Sequence, residues 1–273
     1  MATPHGEERS LVMGILNVTP DSFSDGGAWF DTERAVAHGR AMIADGADIV
    51  DVGGESTRPG AVPVPVGEEL RRVVPVVEAL APEVRVSIDT TKPEVAEAAV
   101  AAGATLVNDV SALLWPVAAR HGVGWVAMHC KGTPLDMQRA PSYADVVGEV
   151  REFLVDRASL ARSAGVEEVW IDPGIGFGKT VRHNLELLAS LADLAGTGFP
   201  VLVGTSRKGF LGAVAPSSDG QPAPVGERLP GSIATAVWAM VRGATMVRVH
   251  DVAETVQAAT LVGPAAGLSP RRP

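Results

Sequence analysis

Eight short apolar stretches of this chain each end in residues that exchange hydrogen bonds or carry charge. Asn17 follows the first, Glu55-Ser56-Thr57-Arg58 the second, Asp89 the third, and Asn108-Asp109 close the fourth. Met128-His129 follow the fifth, Asp172 the sixth, Ser206-Arg207-Lys208 the seventh, and Arg248-Val249-His250-Asp251 the eighth. Carboxylates accept N–H groups, carboxamides donate and accept, and guanidinium or ammonium groups hold anions. Any one of these residues serves equally well as a cap or loop hydrogen bond. A scaffold alone has no need of polar ends on all eight. The cations point the same way. Of 23 basic residues only four are lysine, and Lys92, Lys131, Lys179 and Lys208 fall just after the third, fifth, sixth and seventh stretches. With Arg58, Arg207 and Arg248 they are expected to form a positive mouth on an otherwise acidic protein, suited to small anions.

The elements that must position these residues follow from the pattern around them. The apolar stretches Leu11–Val18, Asp48–Gly54, Val84–Thr90, Thr105–Val110, Trp125–Cys130, Val169–Gly174, Pro200–Ser206 and Thr245–Asp251 lack clean alternation, as parallel strands covered on both faces do. Between them, Thr32–Asp45, Val66–Ala81, Pro93–Ala102, Ala144–Ala164, His183–Ala195 and Ser232–Arg242 carry helical periodicity. Gly46, Gly103, Gly165 and Gly243 each stand where a helix must end in a left-handed residue before the next strand. Eight such units predict a single-domain (β/α)8 TIM barrel over residues 11–262, with an extension at 1–10 and a disordered tail at 263–273. A doubly wound open sheet is the alternative, but it has no need of eight repeats. The stretch Pro216–Gly226 reads as an irregular surface loop. In a barrel of this kind the C-terminal strand ends, where the polar residues fall, form the active site.

Composition narrows the function further. The formal charge of −9, with no basic tail, argues against nucleic-acid binding. The single Cys130 excludes an internal disulfide and any CxxC zinc site, and no His/Cys cluster or carboxylate cage offers itself to a transition metal. Residues 1–10 are polar without an apolar signal core, and no apolar run reaches membrane-spanning length. A cytoplasmic location without a membrane partner is the expectation.

The segments Met13–Gly27 (MGILNVTPDSFSDGG), Asp51–Ala61 (DVGGESTRPGA) and Val86–Thr90 (VSIDT) resemble those of the dihydropteroate synthases, in the pterin-binding group of barrels. So do Val107–Val110 (VNDV), Ile171–Lys179 (IDPGIGFGK), Val203–Lys208 (VGTSRK) and Val247–Asp251 (VRVHD), in order and over about residues 11–262. The resemblance implies condensation of 6-hydroxymethyl-7,8-dihydropterin diphosphate with p-aminobenzoate, giving 7,8-dihydropteroate and diphosphate in folate biosynthesis. It also implies Mg2+ and a homodimer formed through barrel helices. Asp89, Asn108, Met128, Asp172, Gly176, Phe177 and Lys208 would then bind the pterin, Asp172 accepting from its 2-amino and N3–H edge. Asn17, Thr57, Arg248 and His250 would hold the diphosphate, with Asn17 offering a neutral oxygen to the metal. Phe23, Thr57, Arg58, Pro59 and Ser206 would form the p-aminobenzoate slot, Ser206 at a helix start that suits a carboxylate. Catalysis would rest on Lys208, Asp89, Arg248 and His250, through charge stabilisation and positioning. The first two loops are expected to close over bound pterin and diphosphate. Residues 23–27 carry no insertion, so arylsulfonamides are expected to inhibit as p-aminobenzoate mimics.

Other roles are open to several of these side chains. Asp172 could cap the glycine-rich loop after it, Arg248 could pair at the rim with Asp251 or Glu254, and Phe23 and Phe177 could be core residues. Met128–Pro134 matches the family's fifth-strand motif; there His129 reads as a loop hydrogen-bonder and Cys130 as a buried inert thiol. Ala112-Leu113-Leu114-Trp115-Pro116 departs from the small, glycine-containing residues usual after the Asn-Asp pair. A methyltetrahydrofolate–corrinoid methyltransferase would keep the Asp/Asn pterin contacts but has no use for Asn17–Phe23, Thr57-Arg58-Pro59 or the Arg248/His250 pair. A non-catalytic paralogue would be expected to lose the loop motifs retained here.

Overall fold

The computed structural model describes residues 9–19, 28–56, 61–133 and 136–267. In chain order it forms β1 (Leu11–Asn17), α1 (Ala28–Ala44), β2 (Ile49–Gly53), α2 (Val66–Leu80), β3 (Arg85–Asp89), α3 (Pro93–Ala101), β4 (Leu106–Asp109), α4 (Trp115–His121) and β5 (Gly124–Met128). It continues with α5 (Val146–Ser163), β6 (Val169–Asp172), α6 (Val181–Ala189), α7 (Leu191–Ala195), β7 (Leu202–Val203), α8 (Gly209–Val214), α9 (Leu229–Val241), β8 (Met246–Val249) and α10 (Val252–Gly267). The strands are parallel in the order β6-β5-β4-β3-β2-β1-β8-β7. A parallel bridge between Ile171 and Val201 brings β6 to β7. The eight-stranded (β/α)8 barrel is thus the architecture, and the open doubly wound sheet, with its two free edges, is not.

The apolar strands divide their side chains between two cores. Outward residues such as Val12, Val50, Val86, Val107, Ala127, Ile171, Val203 and Val247 pack beneath the helices. Inward residues Met13, Ile49, Leu106, Val126, Trp170, Leu202 and Met246 fill the barrel as a separate plug. With both faces buried, no polar alternation is needed along most of each strand. Below the plug, Arg85 pairs with Glu168 at 2.6 Å, and the Trp170 indole N–H donates to the same carboxylate at 2.8 Å.

Local rules set the ends of the elements. Gly46, Gly103, Gly165 and Gly243 take φ of +94 to +116°, as the helix-terminating role requires. Pro93 opens α3, where its missing N–H costs nothing. The expected helix over 183–195 is instead two, α6 and α7, broken at Ser190 (φ −100°, ψ 17°). α10 continues through Gly263 to Gly267, so residues 263–267 of the expected tail are helical; Gly263 lies against the Arg9 backbone. Residues 268–273 of that tail and 1–8 of the extension lie outside the described residues. Segment 216–226 lies on the surface and is tied down: the Ala223 N–H donates to the Gly212 carbonyl at 3.1 Å, and Arg228 Nε to the Ala223 carbonyl at 2.8 Å.

After β4, Asp109 explains how the divergent loop folds. Its carboxylate accepts from the N–H groups of Ser111, Leu113 and Leu114 at 2.6–2.8 Å, and from Trp125 Nε1 at 3.2 Å. Buried Ala112 takes φ +54°, a conformation glycine adopts more cheaply. The loop that departs from small, glycine-containing residues therefore places an alanine in the left-handed region, where it bears the strain.

Candidate active site

Period-two alternation carries the inner face of each strand upward from the plug. Two residues beyond Ile49 stands Asp51; beyond Leu106, Asn108; beyond Val126, Met128; beyond Trp170, Asp172; and beyond Met246, Arg248. Ser87 is the register partner of Asp51, and Asp89 follows two residues later on β3. The polar ring is the next layer of the barrel interior, set directly on an apolar one. Asp51, Ser87, Asp89, Asn108, Met128 and Asp172 are all buried.

Arg248 organises one side of this layer. Its Nε donates to Asp51 Oδ2 at 2.6 Å and its Nη2 to Asp89 Oδ2 at 2.6 Å. Among the described residues it makes no rim pair; Asp251 is engaged by Arg207 instead. Asp51 Oδ2 also accepts from Asn108 Nδ2 at 2.9 Å. That bond fixes the carboxamide, so one Asn108 N–H is committed and its Oδ1 acceptor is left for a ligand. Asp51 Oδ1, Asp89 Oδ1 and Ser87 Oγ are buried without a hydrogen-bond partner among the described residues, so theirs must come from solvent or ligand. Burial pushes the Asp89 carboxyl above its usual range, Arg248 pulls it back, and Asp51 pushes it up again.

Asp172 and Lys208 form the other side. Asp172 Oδ1 accepts from the Gly174 N–H at 2.7 Å, so it does cap the glycine-rich loop; no described residue donates to Oδ2. Burial raises the Asp172 carboxyl, with Lys208 the strongest opposing influence. The Lys208 ammonium hydrogen-bonds the Ile175 carbonyl and lies 4.7 Å from the centroid of the Phe177 ring. Phe177 is half-buried beside this cation and belongs to neither core. Gly176, at φ +86°, passes close along the Lys208 side chain. Burial lowers Lys208 to about 8, against the pull of Asp172.

The last two strand ends meet through Ser206 and His250. The His250 N–H donates to Ser206 Oγ at 3.1 Å, and His250 Nδ1 lies 3.0 Å from the same oxygen. The expected helix start at Ser206 is corrected: α8 begins at Gly209, because Arg207 takes φ +58° and turns the chain first. Phe23, Thr57, Arg58 and Pro59, the greater part of the expected p-aminobenzoate slot, lie outside the described residues.

The expected positive mouth is also corrected. Lys92 is held by Glu55, at 2.7 Å, and by buried Glu69; Lys131 by the Ser142 carbonyl, at 2.7 Å, with Glu149 at 3.5 Å; and Arg207 by Asp251. Lys179 is buried against His129. Of the four lysines only Lys208 reaches the interior layer, where Asp51, Asp89 and Asp172 face Arg248 and Lys208. The described floor therefore favours a donor-rich or cationic group, and an anion is met by Arg248 and Lys208 only where these reach beyond their carboxylates.

Asp51 is the residue of this layer missed by reading strand ends alone. Its signal was available: a lone carboxylate in Ile-Val-Asp-Val-Gly, two residues short of the end of β2. His129 behaves as expected, whereas Cys130, expected to be a buried thiol, is only partly buried. His129 bonds within the loops, and burial pushes the Cys130 thiol up, away from reactivity.

Residues 13–250 match the pterin binding enzyme family, and the chain belongs to it. Over 262 residues it is 49% identical to the dihydropteroate synthase of Escherichia coli (strain K12), covering 92% of this chain and 90% of that one. The Xanthomonas albilineans dihydropteroate synthase with 4-aminobenzoic acid superposes with TM-score 0.87 at 48% identity, covering 97% and 95% of the two chains. The Yersinia pestis dihydropteroate synthase, solved as a sulfonamide drug complex, gives 0.87 at 43%, covering 95% of each. Within the family its place is among the dihydropteroate synthases, which are transferases.

Proposed function

We propose that the chain condenses 6-hydroxymethyl-7,8-dihydropterin diphosphate with p-aminobenzoate at this layer, releasing 7,8-dihydropteroate and diphosphate. The observation that carries the reading is Asp172, locked through Oδ1 by Gly174 and keeping Oδ2 for a donor edge, with Lys208 and Asn108 on the same interior layer. The pterin 2-amino and N3–H groups donate to Asp172, and Lys208 donates to the ring carbonyl and N5 side. Met128 packs under the ring, and Gly176 and Phe177 line its edge.

The C–O bond to diphosphate breaks with its electron pair leaving on oxygen, and the methylene carbon becomes cation-like. Asp89 and Asp51, fixed by Arg248, stabilise that charge from the floor. The amine lone pair then forms the C–N bond, and its proton passes to solvent. Arg248 and His250 hold the diphosphate with Thr57. Ser206 holds the carboxylate of p-aminobenzoate, against Phe23, Thr57, Arg58 and Pro59.

Asn17 closes β1 on the inner face and offers a hard neutral oxygen, while no group of three His, Cys, Asp or Glu among the described residues could cage an ion. That donor set fits Mg2+ that leans on substrate phosphates, and the ion would neutralise charge on the leaving diphosphate. Around this site we place one domain, 11–262, in a cytoplasmic homodimer. Exposed Val181, Leu185, Val214, Trp238 and Val241 on α6, α8 and α9 support the dimer. No helix among the described residues is long and apolar enough to cross a membrane.

The test is product formation from the two substrates. Equal amounts of dihydropteroate and diphosphate are expected with Mg2+, falling at least about tenfold on chelation, and arylsulfonamides should compete with p-aminobenzoate. Diphosphate release without p-aminobenzoate coupling, or no release by folded protein, contradicts the reading; methyl transfer to a corrinoid would favour the methyltransferase. A pH dependence follows from Lys208. Its ammonium is lost above about 8 in the free enzyme, so kcat/KM should fall on the alkaline side from there. Lys208→Arg should move that fall to higher pH, and an unchanged alkaline limb in this variant would assign it to another group.

A further inference from the structure

Lys179 takes no part in the chemistry above, yet its ammonium is almost fully buried. Among the described residues it pairs with no carboxylate. It meets His129 Nδ1 at 3.0 Å, the His129 carbonyl at 3.2 Å and the Phe177 carbonyl at 3.0 Å. Three acceptors for three N–H groups satisfy the ammonium completely, and all three belong to the loops after β5 and β6. Burial and the neighbouring Lys179 charge hold His129 down at about 3, so its ring is neutral, and in the tautomer protonated at Nε2 its Nδ1 accepts from Lys179. The two loops lie backbone to backbone. A Cβ on Gly174 would overlap the His129 carbonyl oxygen, and one on Gly178 the Lys131 carbonyl oxygen; both glycines have φ +63°. Gln138 Nε2 donates to the Gly176 carbonyl at 2.7 Å and Tyr143 OH to the Gly178 carbonyl at 2.9 Å, stitching the same seam from outside.

The loop between Asp172 and Lys179 carries most of one wall of the site: the Gly174 N–H that fixes Asp172, the Ile175 carbonyl that receives Lys208, and the Phe177 ring under that ammonium. A salt bridge would have discharged a buried lysine more cheaply than carbonyls do. The arrangement makes sense as geometry: an amino group that holds two loops together through two main-chain oxygens and the His129 ring. We propose that Lys179, with His129 as its neutral acceptor, is a positioning residue that sets the pterin-facing loop and thereby pterin affinity, without touching substrate. The proposal rests on the assignment of that loop to the pterin.

The full-length Lys179→Met variant tests it. Affinity for a pterin without diphosphate, and KM for the pterin diphosphate, should worsen on the order of tenfold to a hundredfold, while KM for p-aminobenzoate stays within about twofold. Amides 174–178 should exchange faster in the ligand-free variant. His129→Phe, which keeps the edge contact with Phe153 at 5.1 Å between ring centroids but removes the acceptor, should show the same pattern more weakly. Arg139→Met, which removes an exposed cation from the loop after β5, should match wild type. Pterin affinity within about twofold of wild type with unchanged exchange in Lys179→Met would overturn the proposal. So would a parallel rise in both KM values with a matching fall in thermal stability, the mark of general loosening; His129→Phe applies the same criteria if Lys179→Met does not fold. Wild-type protein that binds no pterin would overturn the assignment of the loop, whereas faster exchange in Lys179→Met would still uphold the clamp.

Discussion

Asp172→Asn is expected to bind pterin at least about a hundredfold more weakly than wild type. The reason lies in the Gly174 N–H, which already occupies one Asp172 oxygen at 2.7 Å. An asparagine here must keep its single carbonyl oxygen for that bond, which turns its NH2 toward the ligand. Two pterin donors then face two protein donors. A hydrogen bond to a charged acceptor contributes about 1.5–3 kcal/mol, and an unmatched buried donor costs a further 1–3 kcal/mol, so two orders of magnitude is a conservative sum. Equilibrium binding of pterin checks it, with circular dichroism to confirm folding. Asn retains size and shape, so the fold should survive. Unaltered affinity would remove Asp172 from the pterin edge.

Arg248→Met should be costly in both stability and turnover. It leaves Asp51 and Asp89 buried with no guanidinium between them, and breaking a buried pair from one side costs about 3–5 kcal/mol. The pH dependence has a definite sign. Burial raises the Asp89 carboxyl in the folded state, and Arg248 is the influence that lowers it. Without the arginine the folded value rises further. A carboxyl raised on folding stabilises the protonated, acid side and loses that contribution as pH rises through the folded value. The deficit of Arg248→Met, measured by urea denaturation, should therefore widen from acid toward neutral pH. Adding Asp51→Asn should restore part of the stability but none of the turnover, because the guanidinium that fixes Asp89 is still missing. A pH-independent deficit would contradict the raised Asp89 carboxyl and its dependence on Arg248.

Much of this arrangement is legible in the sequence because barrel geometry is repetitive. Glycine-terminated helices and doubly buried strands announce the fold, and the residues closing the strands announce the site. What escapes is pairing across elements. Lys92 looks like a loop cation until Glu69, on a helix 23 residues earlier, is found to be fully buried and facing it. Asp51 looks like a strand residue until β8 is brought round to β1 and Arg248 arrives above it, 197 positions away in the chain. Ser206 looks like a helix start because its neighbours are helix-like, but Arg207 in a left-handed conformation postpones α8 by three residues. β7 is two residues long, and its expected span over 200–206 includes the turn that carries Ser206. Each discrepancy comes from tertiary contact overriding a local preference.

The central claim is that the inner polar layer, two residues above the apolar plug, takes a pterin by its donor edge. A crystal structure of the protein with a dihydropterin and diphosphate tests it most directly. The expected result is a ring over the layer, its 2-amino and N3–H groups on Asp172 Oδ2, Asn108 Oδ1 accepting from the ring, and diphosphate beside Arg248 and His250. A pterin bound elsewhere, or with its donor edge turned away from Asp172, would contradict it.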